Sequence, residues 1–270
     1  MPLPPSALAG SSALRDRYGP VALVTGASDG IGRAFARQLA AAGLDLVLVA
    51  RREAALAELA RELQDRHGIA ARVLAANLAE AAQVERVARA AADRDVGLLV
   101  AAAGFGTSGP FVDGDPGTEL AMIDVNCRAL AQLTHAFARR FVERGRGGIV
   151  LMSSLVAFQG VPRAANYAAT KAYVQTLAEG LHAELRPRGV DVLASAPGPV
   201  LSGFGQRAAM RITSGQTPDA VAAATLRALG RGATVRPGLL AKALEMSLKP
   251  LPRVGRVLMM GRVMAGMTAR

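Results

Sequence analysis

Residues 21–32 read VALVTGASDGIG. Val21 to Val24 make a short, wholly apolar run, the signature of a strand buried on both faces. Thr25 follows, then Gly26, Gly30 and Gly32, and helical periodicity begins at Gly30. Glycines so placed let the backbone turn tightly, approach a bound pyrophosphate and pack the incoming helix on the strand, while the helix N-terminus faces the anion. The spacing is G-x-x-x-G-x-G, with Ser28, Asp29 and Ile31 filling the turn. A strand, a glycine turn and a helix in that order predict the first unit of a dinucleotide-binding sheet.

The same rhythm runs on to about residue 235. Apolar strands are predicted at 21–24, 46–49, 72–75, 98–101, 149–152, 191–194 and 233–235, with helices between them at 30–42, 53–67, 80–93, 117–144 and 165–186. Gly43 and Gly68 mark helix ends, and Thr217 followed by Pro218 marks a helix start. Apolar strands alternating with helices, joined by right-handed crossovers, predict one doubly wound, Rossmann-type α/β domain over residues 20–235, with a mostly parallel seven-stranded sheet and helices on both faces. Residues 1–19 read as a flexible leader and 236–270 as a basic helical extension.

Bulk composition narrows the function classes. A chain of 270 residues with 51% hydrophobic content supports one large core. Cys127 is the single cysteine, so no intramolecular disulfide forms, and no Cys/His cluster has zinc spacing; a cytoplasmic protein without a metal is expected. Neither a secretory leader nor a run of about 18 uncharged apolar residues is present. Of the net charge of +11, residues 236–270 carry +6 (seven basic groups against Glu245), leaving +5 for the preceding 235 residues. Aromatics are 4% and tryptophan is absent, which argues against nucleic acid as a partner.

Chemistry gathers at three further places. The second predicted strand ends at Arg51 and Arg52, where a cofactor lacking a 2′-phosphate would call for a carboxylate; paired guanidinium groups favour NADP(H). Tyr167 and Lys171, in AANYAATKAY (164–173), share one helix face with roughly 5 to 6 Å between Cβ atoms. A neighbouring ammonium favours phenolate and suits a group that trades a proton with a carbonyl oxygen. Ser154 stands just beyond the fifth strand, and Asn126 is a poor helix former inside a long helix.

These pieces, with ProGlyProVal at 197–200 and Ser202, resemble the short-chain dehydrogenase/reductase family over about residues 20–235. The resemblance implies an enzyme interconverting a carbonyl and a secondary alcohol. Tyr167 would be the acid/base, Ser154 would hold the substrate oxygen, Lys171 would lower the tyrosine pKa and bind the nicotinamide ribose, and Asn126 would support a proton relay. It also places Asn77, Leu78, Ala103, Gly104, Pro197, Gly198, Val200 and Ser202 along the cofactor. Two departures stand out: Ala101-Ala102-Ala103-Gly104 replaces the family's AsnAsnAlaGly, and Asn77 replaces its aspartate. Apolar loops suggest a lipophilic substrate, such as a steroid-like, fatty or aromatic ketone, and residues 201–216 read either as a mobile lid or as an ordinary surface loop. A homodimer or homotetramer is implied. The tail is read as packing rather than as membrane contact. A 3-oxoacyl-thioester reductase and a non-catalytic nucleotide sensor are the competing readings.

Overall fold

Residues 11–238, 246–248 and 250–268 are described by the computed structural model. Seven strands, β1 (Val21–Thr25), β2 (Asp45–Ala50), β3 (Ala71–Ala75), β4 (Val96–Ala101), β5 (Gly147–Met152), β6 (Val190–Ser195) and β7 (Thr234–Val235), pair in parallel in the order β3-β2-β1-β4-β5-β6-β7. Their apolar residues alternate between two cores. Ala22, Val24, Leu46, Leu48, Leu98 and Val100 meet α2 (Gly30–Ala41), α3 (Glu53–His67) and α9 (Pro218–Ala228) on one face. Leu23, Val47, Val49, Leu99, Ile149 and Leu151 meet α4 (Ala81–Ala90), α6 (Leu130–Arg144) and α7 (Ala165–Leu185) on the other. Burying both faces is why these strands read as unbroken hydrophobic runs, at about 1.5–3 kcal/mol for each large side chain.

Boundaries follow the signals in the sequence. Gly68 ends α3 in the left-handed conformation at φ 66°, and the Thr217 hydroxyl accepts from the Ala220 N–H at 3.2 Å with Pro218 in the first turn of α9. The predicted helix 117–144 is continuous but not uniform. It starts as α5 (Pro116–Ile123), passes through a π-helical turn at Asp124–Ala129 and continues as α6.

One expectation changes. The leader is not loose from Ser11 onward: α1 (Ser11–Tyr18) docks beneath the sheet, where the buried Tyr18 hydroxyl donates to Asp191 Oδ2 at 2.7 Å and Arg17 pairs with the same oxygen at 2.6 Å. Its first ten residues lie outside the described set, as do 239–245, 249, 269 and 270 of the extension. Within the lid segment a short helix, α8 (Phe204–Arg207), forms, and beyond Pro252 the tail forms α10 (Arg253–Met267). No described helix is long and apolar enough to cross a membrane.

With this strand order the chain reverses direction between β1 and β4, and the carboxyl ends of those strands open a crevice. The site lies there.

Candidate active site

The glycine turn is sterically required. Gly26 has φ 68°, and a Cβ on it would sit 2.9 Å from both the Ala102 carbonyl oxygen and the Ala103 nitrogen; one on Gly32 would strike the carbonyl of Gly26. The turn therefore presses directly on the chain leaving β4, which Thr25 also holds by accepting from the Ala103 N–H at 3.0 Å. Asp29 caps α2 by accepting from the Gly30 N–H at 2.7 Å and pairs with Arg207 of α8 at 2.8 Å. Burial opposes ionisation of Asp29, but the bonds from Arg207 and Gly30 prevail and hold its carboxyl below the ordinary range. A Cβ on Gly30 would lie 3.2 Å from Ser202, so the turn meets the 201–216 segment at two points.

The two predicted phosphate arginines part company. Arg52 donates to the Ser28 carbonyl at 3.1 Å and to its hydroxyl at 3.3 Å, which places its guanidinium beside the glycine turn, whereas Arg51 stands in solvent. Asn77 is occupied locally: its amide donates to Glu80 at 2.8 Å and its oxygen accepts from the Ala79 N–H at 3.2 Å, an Asx turn that opens α4. Leu78 is buried beside it.

Asn126 explains the π turn. Fully buried, it accepts from the Phe105 N–H at 3.1 Å and donates to the Phe105 carbonyl at 2.9 Å and to the Thr170 hydroxyl at 3.0 Å. Thr170 in turn donates to the Tyr167 carbonyl at 2.8 Å. One amide thus ties the loop after β4 to α7, and the wider helical turn gives it room to reach inward. Gly104 is needed here because a Cβ would come within 2.9 Å of the Asn126 oxygen. Where the family carries two asparagines, Ala101 is plain core and Ala102 lines the cleft.

Tyr167, Lys171 and Ser154 meet in one cleft with Ile31, Gly104, Pro197, Gly198, Val200 and Ser202. Ser154 caps the short turn after β5, accepting from the Val156 N–H at 3.4 Å. The Tyr167 ring lies 5.4 Å from the ring of Phe204 on α8, and Gly106 has no room for a side chain because a Cβ would stand 2.9 Å from the tyrosine ring. Burial pushes the Tyr167 phenol up to about 12, with a hydrogen bond from Ser154 acting the other way. Burial likewise brings Lys171 down to about 8.

The ammonium expected to favour phenolate is engaged elsewhere. The lysine Nζ stands 5.7 Å from the tyrosine ring centre, yet it donates to the Met152 carbonyl at 2.8 Å at the end of β5, and desolvation rather than the ammonium governs the phenol. Spacing of i and i+4 brings the Cβ atoms together but does not say where a four-carbon stem leads. Cys127 is half-buried on the π turn. His182 meets the Val192 carbonyl at 2.9 Å, a packing contact.

Sequence reasoning missed three contributors. Thr170 sits beside a motif residue and was open to inspection; Ser153, next to Ser154, donates its hydroxyl to the Lys171 carbonyl at 3.1 Å. Arg207 and the Met152 carbonyl carried no signal, since one is partnered across 178 positions and the other is backbone. Tyr167 also shares an apolar cluster with Val161, Ala164, Met260 and Met264, which packs α10 beside the segment leading into α7.

The residues fit a dinucleotide: Gly26 and Gly32 clear a path that a Cβ would fill, the N-terminus of α2 points at it, and Arg52 waits beside Ser28. A family model described as short chain dehydrogenase matches residues 20–211. The 7beta-hydroxysteroid dehydrogenase of Clostridium sardiniense is 36% identical over 188 residues, 70% of this chain and 72% of that protein. A solved 7beta-hydroxysteroid dehydrogenase superposes with a TM-score of 0.85 at 27% identity, covering 92% of this chain and 98% of the other. A short-chain dehydrogenase from Sphingobium yanoikuyae in complex with NADPH gives 0.80 at 36% identity, covering 86% and 93%. On these matches and this site geometry, the chain belongs to the short-chain dehydrogenase/reductase family of oxidoreductases.

Proposed function

We propose that the protein interconverts a bulky, lipophilic ketone and its secondary alcohol with NADP(H). The observation that carries this reading is the convergence of Tyr167, Ser154 and Lys171 in a cleft beside the glycine turn, with Phe204 of α8 on its wall. The 7beta-hydroxysteroid dehydrogenase relatives support a substrate of steroid size, and the NADPH complex of a neighbour supports the nucleotide.

The nucleotide supplies or accepts the hydride when bound; Gly26, Gly30, Gly32, Arg52, Ser202 and Lys171 would hold it. Ser154 and the Tyr167 hydroxyl orient the carbonyl oxygen. Tyr167, protonated at neutral pH, donates the proton that oxygen requires as it becomes an alcohol. Asn126 and Thr170 fix the backbone around the tyrosine. The apolar walls exclude water, which strengthens those hydrogen bonds.

Testing requires NADPH consumption by the full chain with ketosteroids, small ketones and 3-oxoacyl thioesters. Turnover of ketosteroids, lost by about 10²–10⁴-fold in Tyr167→Phe, is expected. Preference for the thioesters would transfer the assignment to carrier-linked acyl chains, and binding of NADPH without turnover of any substrate would make the protein a sensor. For the phosphate, Arg52→Ala should weaken NADPH but not NADH binding, and Arg51→Ala should do little. Equal binding of the two nucleotides by wild type would remove the NADP(H) assignment.

A further inference from the structure

Helix α10 is apolar on two faces. Met260 and Met264 are buried in the cluster that holds Tyr167. The opposite face points away from the protein, with Val254 71%, Leu258 63%, Met259 39% and Val263 40% exposed. A helix hydrophobic all round belongs in an interior, yet half of this one is at the surface.

Charge says what covers it. Residues 246–270 contain five basic side chains, Lys249, Arg253, Arg256, Arg262 and Arg270, and no acid. Arg253 and Arg262 are exposed on the same helix as the apolar face. A second copy of the chain suits this surface badly, because a two-fold contact would gather both sets of arginines with no carboxylate from the segment to meet them. An anionic lipid surface meets both features at once: headgroups pair with the arginines, and the acyl boundary takes up the valines, leucine and methionine. At 15 residues α10 spans only about 22 Å, short of the roughly 30 Å hydrocarbon core, so it lies along the surface rather than across it.

We propose that α10 docks the protein in the plane of an anionic bilayer, with Val254, Leu258, Met259 and Val263 at the acyl boundary and Met260 and Met264 turned inward to the cluster that holds Tyr167. On the proposed function, this brings the membrane, as a source of lipophilic substrate, to the side of the protein where that cluster lies.

The experiment is cosedimentation of the full chain with vesicles of phosphatidylcholine alone or mixed equally with phosphatidylglycerol. The expected result is retention on the mixed vesicles, weakened by salt, and absent or at least about tenfold weaker on phosphatidylcholine alone. Leu258→Glu/Val263→Glu and Arg253→Gln/Arg262→Gln should each lower retention about tenfold or more while leaving NADPH oxidation in solution and the mass by light scattering unchanged. No retention of wild type on anionic vesicles, or wild-type retention by either variant, would overturn the proposal. So would a fall in oligomeric mass in Leu258→Glu/Val263→Glu, which would assign the face to another copy of the chain.

Discussion

Replacing Asn126 by alanine removes three hydrogen bonds with one truncation: from the Phe105 N–H, to the Phe105 carbonyl and to the Thr170 hydroxyl. Each is worth about 1 kcal/mol net when its partner is left without a substitute, so the gross loss is about 3 kcal/mol. Alanine returns about 0.5 kcal/mol through better helix propensity, leaving about 2–3 kcal/mol. For a protein of this size that lowers the melting temperature by about 5–10 °C. Urea unfolding followed by far-UV circular dichroism measures the first quantity and a thermal scan the second. Activity should fall as well, because Phe105 leads into Gly106, which lies against the tyrosine ring. Small misplacements of a reacting group cost about 10²-fold. Thr170→Val in the same background should add less than its loss in wild type, since the two residues share a bond. A loss below about 1 kcal/mol with unchanged kcat would refute the claim that this amide joins β4 to α7.

Lys171 titrates at about 8 in the native protein against an ordinary 10.5, so between those values the unfolded chain binds more protons and stability should climb with pH. Lys171→Met should abolish that climb in urea titrations at pH 7.5 and 10, and an unchanged slope would contradict the burial argument. Tyr167, at about 12 against 10.0, works in reverse, subtracting stability above pH 10. Tyr18→Phe deletes the hydroxyl that donates to Asp191 at 2.7 Å and should cost about 1.5–3 kcal/mol, with kcat untouched because Asp191 lies at the far end of β6 from Ser154; a drop in kcat would mean that α1 reaches the site after all. Gly26→Ala and Gly68→Ala form a matched pair, at φ 68° and φ 66°. Both should lose about 1 kcal/mol of stability to backbone strain, but a Cβ at Gly68 meets nothing within 4 Å, so calorimetry should find NADPH binding weakened only in Gly26→Ala.

What the sequence disclosed, and what it hid, divides along a physical line. Strands were legible because β1, β4, β5 and β6 are buried on both faces and so carry unbroken apolar runs. The glycine turn was legible because its steric demands act between neighbours in the chain. α1 was not: its anchor, Asp191, lies 173 positions beyond Tyr18, and SSALRDRY taken alone has no apolar stripe to announce a helix. The π turn had one trace, an asparagine of poor helix propensity between Val125 and Cys127, and nothing in that pattern specifies an inserted residue. Tyr167, Lys171 and Ser154 were placed in a common cleft by spacing and fold together, but the target of the lysine was a main-chain carbonyl, to which side-chain patterns are blind.

That carbonyl bears on how the acid and the substrate are connected. Tyr167 is shut in by Phe204 from the lid, by Val161 and Ala164 beside it, and by the cluster shared with Met260 and Met264 of α10. Such walls suit a lipophilic carbonyl compound, because they lose nothing by giving up water to it. They also raise the phenol to about 12, because no wall offers a charge to the phenolate, and Ser154 alone acts to lower it. A phenol held protonated is a ready donor to an oxygen gaining charge. Accepting the proton requires stabilising the phenolate, and the Lys171 ammonium stands 5.7 Å from the ring centre, bound to the Met152 carbonyl. The apolar walls that raise the phenol are the same walls that a lipophilic substrate of the proposed kind would meet.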